Sequence, residues 1–414
     1  MKVLVIFWML AAACSLEIEK DGLNVIQEEF DNESNNNQDP NSNPNLNPNP
    51  SDLLVDPHTV SCQTRGNSVV SNPSNTITLS PNDNIKERIE NSSYSIFLLE
   101  DGVYSIDRTN GWLLINRPNI TIKSVSGNRD NVIIDSNYSD FSQPSWRVAM
   151  ISIEANNVTI ADITLRRAFS HLIHIKGASS IKISNVKFLD SSEQFLKANL
   201  KDDNGSVCVE VSNSSFELTS VGRTNVQDAY ADGCYTGGID THVGLNWWVH
   251  DNYFEGIYCN RLPSDTLGRL AEHAIHFWHD SENTIIERNF IKNCARGIGF
   301  GLDNSGTIGG AIRNNIIFGE TYLGGGYWDT GISIWHALNV MVNSNVVYVN
   351  PSLNAYFGIE YRYSDTSGEI RNNISSKGIN QRGSVPNVVV SGNTSGSLQE
   401  VEAAINDWNE KHLP

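Results

Sequence analysis

The chain has 414 residues, of which 39% are hydrophobic and 18% charged, and its formal net charge is −18 at neutral pH. This charge argues against nucleic acid as a partner, because phosphate binding needs dense lysine and arginine. Asn, Ser, Thr and Gly make up much of the polar surface, as in proteins rich in β-turns. An anionic ligand would have to be met by a local basic cluster, because the overall charge repels it.

Residues 1–14 have the pattern of an export signal. A basic start precedes an apolar run that is too short to remain as a membrane-spanning helix. The run ends in three alanines before Cys14, which resembles a bacterial lipobox, although Leu10 lies one position further from the cysteine than usual. Two outcomes are therefore predicted as equal alternatives: lipidation of Cys14, giving a cell-surface or outer-membrane lipoprotein, and cleavage, giving a soluble secreted protein. A lipid at Cys14 would be the sole membrane attachment.

Residues 15–61 are predicted to be a disordered linker. They are rich in Asn and Pro and contain almost nothing that could enter a core. A tether of this kind would hold a folded domain away from an anchored terminus. After the linker, helix-start signals precede a short amphipathic helix at Ile85–Ile89, and a capping box at Ser397 and Glu400 begins a C-terminal capping helix over residues 397–414.

Residues 62–396 repeat two phrases at intervals of roughly 20 to 38 residues, which is typical of a solenoid. The first phrase is a short alternating strand, with copies centred on His174, Asp240, His276, Gly299, Ser333 and Glu360. The second is an aliphatic residue followed by an Asn-rich turn, ending at Asn185, Asn213, Asn252, Asn289, Asn315, Asn345 and Asn373. The repeats predict an all-β fold, a coil of parallel strands in which equivalent side chains stack in columns.

A resemblance to a known superfamily supports this interpretation. The opening helix, the acidic-Gly-x-Tyr turn at Glu100–Tyr104 and the strand phrases resemble right-handed parallel β-helix proteins of the pectin-lyase-like superfamily, and Ala271–Trp278 and Arg296–Gly301 resemble an exported bacterial group of such proteins. The resemblance implies a right-handed parallel β-helix with an N-terminal capping helix. The superfamily contains lyases, glycoside hydrolases, epimerases and non-enzymatic surface proteins, so it does not select a reaction.

Alternation places two columns of side chains on the outside of one sheet. The first column is His174, Lys197, Asp240, His276, Gly299, Ser333 and Glu360, and the second is Lys176, Asn199, His242, Trp278, Gly301, Trp335 and Arg362. Charged and aromatic side chains beside bare glycines that leave a concavity predict a polysaccharide groove, in which Trp rings pack on sugar faces. The predicted substrate-binding residues are His174, Lys176, Asn199, His273, Trp278, Trp335, Glu360 and Arg362.

The favoured reaction is lyase-type β-elimination on a uronate glycan, which needs a base and a cation that stabilises the enolate-like intermediate. The candidate catalytic residues are Lys197, Asp240, His242, His276 and Arg296. Glu193 and Lys197 resemble the Glu-x-x-x-Lys motif of alginate and chondroitin lyases, in which the Lys is the base, but Asp240 and His242 stand where those enzymes carry Arg. Hydrolysis is less favoured, because Asp240 and Glu360 would lie at least roughly 14 Å apart.

Two alternatives stay open. The first is a non-catalytic glycan-binding or structural envelope lipoprotein, which uses the same columns without chemistry. The second concerns metal: elimination requires no cofactor, but Asp280 and Asp303 follow consecutive strand phrases and could bind Ca²⁺. A zinc site is not predicted from His273, His276 and His279, because their spacing alternates faces along a strand. The chain is expected to be a monomer.

Five cysteines follow the signal, so export permits disulfides and an odd thiol remains. Cys259 and Cys294 follow the Asn turns of consecutive repeats at similar offsets. Stacking about 5 Å apart would let them form a disulfide. Two separate buried thiols are nearly as strong an expectation.

Overall fold

The computed structural model describes Cys62 and residues 75–108, 111–141, 148–226, 234–260, 269–302, 305–321, 323, 328–353 and 355–412. The predictions for the signal at residues 1–14, for Cys14 and for the linker at residues 15–61 lie outside these ranges, as does Asp303.

The described chain is a right-handed parallel β-helix, as the repeats and the superfamily resemblance predicted. Successive turns each add one parallel strand to three long sheets, and five middle turns add a strand to a short fourth sheet within the described residues. Sheet 1 consists of Thr76–Leu79, Ile96–Leu99, Ile120–Ser124, Val158–Ala161, Ile181–Ser184, Val209–Ser212, Trp248–His250, Ile285–Glu287, Ala311–Arg313, Val340–Asn343, Ser367–Arg371 and Asn387–Ser391.

The other three sheets follow the same chain order. Sheet 2 consists of Leu113–Ile115, Ile151–Ile153, Ile173–Lys176, Leu196–Asn199, Ile239–His242, His273–Trp278, Arg296–Phe300, Trp328–Trp335, Ala355–Arg362 and Ile379–Arg382. Sheet 3 consists of Gly102–Ser105, Val132–Asp135, Thr164–Ala168, Lys187–Ser191, Ser215–Glu217, Tyr253–Glu255, Phe290–Lys292, Ile316–Gly319, Val346–Val349 and Ile374–Ser375. Sheet 4 consists of Ser206–Val207, Gly244–Leu245, Ser281–Glu282, Thr307–Ile308 and Ala337–Leu338.

Alternation along each strand sends one set of side chains into the coil. In Ile181–Ser184 the two isoleucines are buried while Lys182 and Ser184 are half-buried. Residues at equivalent positions stack between turns: the rings of Phe188 and Phe216 are 4.4 Å apart and those of Phe216 and Phe254 are 4.5 Å apart. The core is therefore a continuous apolar column along the coil, which fixes the strand register because a one-residue slip would expose it.

The Asn-rich turns perform two tasks at the corner between sheets 1 and 3. The first Asn of a turn adopts the left-handed conformation, as Asn314 does at φ 55°, which Asn tolerates better than most residues. The second is buried and forms a ladder along the coil: Asn315 Nδ2 donates to Asn345 Oδ1 at 3.0 Å and to the Ile286 carbonyl at 2.9 Å. The ladder runs through Asn252, Asn289, Asn315, Asn345, Asn373 and Asn393.

The N-terminal helix Ile85–Asn91 covers the beginning of the coil, as predicted. Asn84 caps it by accepting from the Glu87 backbone N–H at 3.1 Å, and Ile85 and Ile89 are buried. Glu90 Oε1 accepts from the backbone N–H of Leu114 at 2.8 Å, which satisfies a donor on the first strand of sheet 2. The helix thus protects an edge that would otherwise invite pairing with another chain.

Two further helices are described, Ser220–Arg223 and Leu398–His412. The C-terminal helix begins with the predicted capping box, in which Ser397 Oγ and Glu400 Oε2 are 2.9 Å apart. It covers the flank of sheet 3 rather than the last turn, and Trp408 packs against Phe290 and donates to the Arg288 carbonyl at 2.8 Å. No helix among the described residues is long and apolar enough to cross a membrane.

The predicted disulfide between Cys259 and Cys294 is wrong. Cys259 pairs with Cys234, which precedes the strand Ile239–His242, and Cys62 pairs with Cys208. Cys294 is the buried free thiol that the odd count required. Sequence offsets did not reveal these pairs, because each joins a turn to a segment outside the repeated phrases.

Candidate active site

The two predicted columns lie on the outside of sheet 2 in the predicted register. His174 pairs with Lys197, Lys197 with Asp240, and Asp240 with His276, and the column continues through Gly299 and Ser333 to Glu360. The second column also pairs as predicted, with Lys176 beside Asn199, His242 beside Trp278 and Trp335 beside Arg362. The geometric basis of the sequence interpretation is therefore confirmed.

Much of the first column is nevertheless buried, which the sequence did not predict. Lys197 is 5% exposed, Asp240 4%, His276 1% and Glu360 0%. The polar groups of these side chains form hydrogen bonds and ion pairs with neighbouring residues and do not line an open groove. Six side chains of the two columns are half-buried and reach the surface. They are His174 of the first column and Lys176, Asn199, His242, Trp335 and Arg362 of the second.

The predicted concavity at Gly299 and Gly301 is wrong. A side chain added at Gly299 would meet the His273 ring, with Nε2 only 2.7 Å from the new Cβ. One added at Gly301 would meet the Trp335 carbonyl oxygen of the next turn. The glycines are needed because a ring and a backbone already occupy the space, so they do not open a sugar subsite.

Lys197, Asp240 and His242 form the centre of the buried polar cluster. The Lys197 ammonium forms an ion pair with Asp240 Oδ2 and lies 2.9 Å from His242 Nε2. The other carboxylate oxygen of Asp240 accepts from Trp278 Nε1 at 2.9 Å. Because sheet 2 holds these residues on adjacent strands, the cluster is built by register rather than by loop conformation.

Burial and charge set the protonation states of this cluster. Burial alone would raise the pKa of Asp240, but the positive charge of Lys197 outweighs it and holds that pKa well below its usual range. Burial and then the Lys197 charge lower the pKa of His242 well below 6.5. At neutral pH Asp240 is thus a carboxylate and His242 a neutral imidazole.

The surface side of the cluster is formed by His242, Asn199 and His174. The side-chain amide of Asn199 lies 3.2 Å from His242 Nδ1 at one end and 2.9 Å from His174 Nε2 at the other. Burial followed by the charges of its neighbours lowers the pKa of His174, so this ring is also neutral. Lys176 lies beside them, with Nζ 3.8 Å from Glu154 Oε1.

Trp278 has a supporting position rather than that of an open sugar platform. It is 8% exposed, its indole N–H is bonded to Asp240, and its ring stacks on His276 with centroids 5.3 Å apart. The centroid of the Trp278 ring also lies 4.5 Å from that of His242, in an edge contact, and 4.0 Å from that of His279. The predicted packing of a sugar on Trp278 would therefore require these rings to move.

His273 and His276 lie together, although their spacing predicted opposite faces. His273 begins its strand, and its ring turns over Gly299 until the two imidazole centroids are 4.5 Å apart. Glu272, which the sequence interpretation missed, is adjacent: its Oε2 lies 4.0 Å from His273 Nδ1. His279 is beyond the strand end, where its Nδ1 lies 3.0 Å from Ser305 Oγ.

Arg296 belongs to this second group and not to the Lys197 cluster. Its Nε donates to Asp329 Oδ2 at 2.8 Å, and its Nη1 lies 3.9 Å from Glu272 Oε2. The predicted role of Arg296 as a stabiliser of charge beside Lys197 is not favoured by these contacts.

The far end of sheet 2 holds Trp335, Glu360 and Arg362. Glu360 is fully buried, accepts from Trp335 Nε1 at 2.8 Å and is paired with Arg382 at 3.1 Å. Burial raises its pKa against the opposing charge of Arg382. Arg362 lies over the rings of Trp335 and Tyr363, at 5.3 and 4.5 Å, so it already covers the predicted sugar platform.

Asp280 lies in an exposed turn with φ 60°. Its predicted Ca²⁺ partner Asp303 lies outside the described residues, so the Asp280–Asp303 site stays a prediction.

No protein-family model and no curated protein sequence matches the chain. Among solved structures, it is similar to a catalytic domain of GH87 alpha-1,3-glucanase in complex with nigerose, at 13% identity and a TM-score of 0.50 over 79% of this chain and 66% of that chain.

Two other similarities have lower TM-scores. A tailspike protein of E. coli bacteriophage HK620, in complex with a hexasaccharide, is 13% identical with a TM-score of 0.49 over 78% of this chain and 56% of that chain. The A-module of the Azotobacter vinelandii mannuronan C-5 epimerase AlgE4 is 13% identical with a TM-score of 0.45 over 73% of this chain and 87% of that chain. At such identities the likeness is one of fold.

Proposed function

We propose that this protein is an exported polysaccharide-acting β-helix enzyme that cleaves a uronate glycan by β-elimination, with Lys197, Asp240 and His242 as its reacting group. The observation that carries the proposal is the buried Lys197–Asp240 ion pair in contact with a neutral, half-exposed imidazole. Export is part of the proposal on sequence grounds alone, either with attachment through Cys14 or with release as a soluble secreted protein. The fold is compatible, since the similar glucanase domain is a glycan-acting β-helix protein.

The three side chains have different roles in the proposed elimination. Lys197 is the charge stabiliser rather than the base, because its ammonium group forms an ion pair with the Asp240 carboxylate. On binding, the ammonium would exchange His242 Nε2 for a carboxylate oxygen of the uronate. That exchange frees the lone pair of His242 Nε2, with the ring proton on Nδ1 and the Asn199 amide turned over so that its oxygen accepts that proton. It also draws electron density toward the carboxylate, where negative charge develops in the transition state.

The proton then moves through His242. Its Nε2 removes the proton from the carbon next to the carboxylate, the electrons of that C–H bond form a carbon–carbon double bond, and the neighbouring C–O glycosidic bond breaks. The leaving oxygen keeps the electrons of the broken bond and takes the proton back from the imidazolium. One unsaturated uronate end and one free hydroxyl result, with no water consumed. Positioned acid–base catalysis of this kind contributes about 10²–10⁴-fold.

Hydrolysis lacks the required pair of carboxyl groups in this column. Glu360 lies four strands from Asp240, about 19 Å at about 4.8 Å per strand, whereas glycosidase carboxyl groups lie about 5 to 9.5 Å apart. The carboxylate of Asp240 is also fully used by Lys197 and Trp278.

The test is absorbance of unsaturated uronate product in the near ultraviolet, with purified protein and a panel of uronate polysaccharides. Lys197→Met and His242→Gln should each lower kcat/KM by about 10²-fold or more. His279→Gln is the matched control, because its ring lies 4.5 Å from His242 while its Nδ1 lies 3.0 Å from Ser305 Oγ, outside the reacting group. Absence of product from every polysaccharide, or unchanged activity in both variants, would refute the proposed reaction.

Glycan binding without cleavage is the second candidate. It is favoured by a cleft of about 470 Å³ at the far end of sheet 2, lined by Arg362, Tyr363 and Arg382. Guanidinium groups recognise carboxylates well, so uronate groups could bind there. This alternative predicts that binding survives Lys197→Met and is lost in Arg362→Ala.

A further inference from the structure

Three side chains beside the Lys197 cluster have the arrangement of metal ligands. Glu272, His273 and His276 each offer one ligand atom, and these atoms lie within 4.8 Å of one another. His273 is 4% exposed and His276 1%, while Glu272 is half-buried at the surface side. None of the three is needed for the elimination proposed above.

His273 has an unpaired nitrogen that points into this group. Its Nε2 lies 3.0 Å from Ser333 Oγ, which holds the ring in place. Its Nδ1 is buried and has no hydrogen-bond partner among the described residues, and the nearest carboxylate oxygen is that of Glu272 at 4.0 Å. A buried nitrogen without a hydrogen-bond partner is destabilising, so an ion that accepts its lone pair would remove that cost.

His276 is oriented in the same way by a backbone group. Its Nε2 lies 3.2 Å from the carbonyl oxygen of Gly301, and because a carbonyl only accepts, Nε2 carries the proton of the neutral ring. The lone pair is then on Nδ1, which lies 3.7 Å from the Asp240 carboxylate. A ring nitrogen held by a hydrogen bond from its other nitrogen is the usual arrangement of a metal-binding histidine.

We propose that Glu272, His273 and His276 bind a divalent transition-metal ion of the Zn²⁺ class. Two imidazoles and one carboxylate suit such an ion, whereas Ca²⁺ prefers oxygen ligands only.

The three ligand atoms lie further apart than they would around a bound ion. Metal–ligand bonds of about 2.0 to 2.1 Å place tetrahedral ligands about 3.3 Å from one another, so atoms that lie within 4.8 Å must close by up to about 1.5 Å. Glu272 can supply this movement, because it is half-buried and is the least enclosed of the three ligands. The carboxylates of Asp240 and Asp329 nearby help to balance the charge that a cation would add.

Calorimetric titration of the chelator-treated full chain with Zn²⁺ tests the site, with Co²⁺ absorbance as the spectroscopic readout. We expect one equivalent of metal per chain. Losing a side chain that orients a metal ligand typically costs about 10–100-fold in affinity, so Ser333→Ala should weaken binding within that range and His273→Asn by at least about 100-fold. Glu272→Gln should also weaken binding, and His279→Gln, which changes a neighbouring histidine outside the group, should not.

Circular dichroism establishes that each variant is folded. If His273→Asn does not fold, Glu272→Gln and Ser333→Ala carry the test, since the first alters a half-buried group and the second removes a single hydroxyl that orients the His273 ring. The inference is overturned if the full chain binds no stoichiometric Zn²⁺, or if Glu272→Gln and Ser333→Ala bind it as tightly as the unaltered chain. Because elimination needs no metal here, these results are independent of whether unsaturated product forms.

Discussion

The buried asparagine ladder should be a major source of stability, and Asn315→Ala tests it. The substitution removes two donated bonds, to the Ile286 carbonyl at 2.9 Å and to Asn345 Oδ1 at 3.0 Å. It also removes two accepted bonds, from the backbone and side-chain nitrogens of Asn289 at 3.0 and 2.9 Å. At about 1 kcal/mol for each hydrogen bond, with buried groups left unpaired, the expected loss is about 3 to 5 kcal/mol in the free energy of unfolding.

Urea unfolding monitored by circular dichroism measures this loss in stability. Substitutions at two other asparagines provide the comparison. Asn393→Ala, at the half-exposed end of the ladder, removes one donated and two accepted bonds and should cost less. Asn387→Ala, in an exposed position of the last strand of sheet 1, should change stability by about 0.5 kcal/mol or less. A loss for Asn315→Ala no larger than that for Asn387→Ala would refute the ladder as a stabilising element.

Three further predictions concern other parts of the coil. Burial would lower the pKa of His250, but Asp251 and Glu210 raise it above 6.5, so its contribution is present below pH 6.5 and is lost as pH rises through the folded value. Urea unfolding should therefore show His250→Gln to be more destabilising at pH 5.5 than at pH 8.5, and an equal effect at both would contradict this. Trp408→Ala should undock the C-terminal helix at a cost of about 3 to 5 kcal/mol, seen as rapid amide hydrogen exchange confined to residues 398–412. Alkylation and peptide mapping should find Cys294 unmodified in the native protein and modified after unfolding, whereas a Cys259–Cys294 bridge would protect both.

The strand register was predictable because it depends on a local, repeated pattern. Aliphatic alternation fixes which side chains enter the core, and the Asn turn fixes where each strand begins. Together they placed Lys197 beside Asp240 and His242 beside Trp278 as the structure has them. Helix-start signals, which are also local, identified the helix at Ile85 and the capping box at Ser397.

Burial, ring orientation and cysteine pairing were not predictable in this way. The alternation predicts which side chains point out of the coil. It does not predict whether a neighbouring ring fills the space outside a strand position, as the His273 ring does at Gly299. His273 has the parity of a core residue, and its position at the start of a strand lets its ring turn toward His276. Cys234 lies outside the repeated phrases, so no spacing rule joined it to Cys259.

The proposed reaction is tested most directly by the mass of the oligosaccharides released from a uronate polysaccharide. Elimination leaves an unsaturated residue at the new non-reducing end. Each fragment with such an end should therefore be lighter by one water than the corresponding hydrolysis product, and these fragments should disappear with His242→Gln. Products that carry the additional water, or unsaturated products formed equally well by His242→Gln, would contradict the account of Lys197, Asp240 and His242.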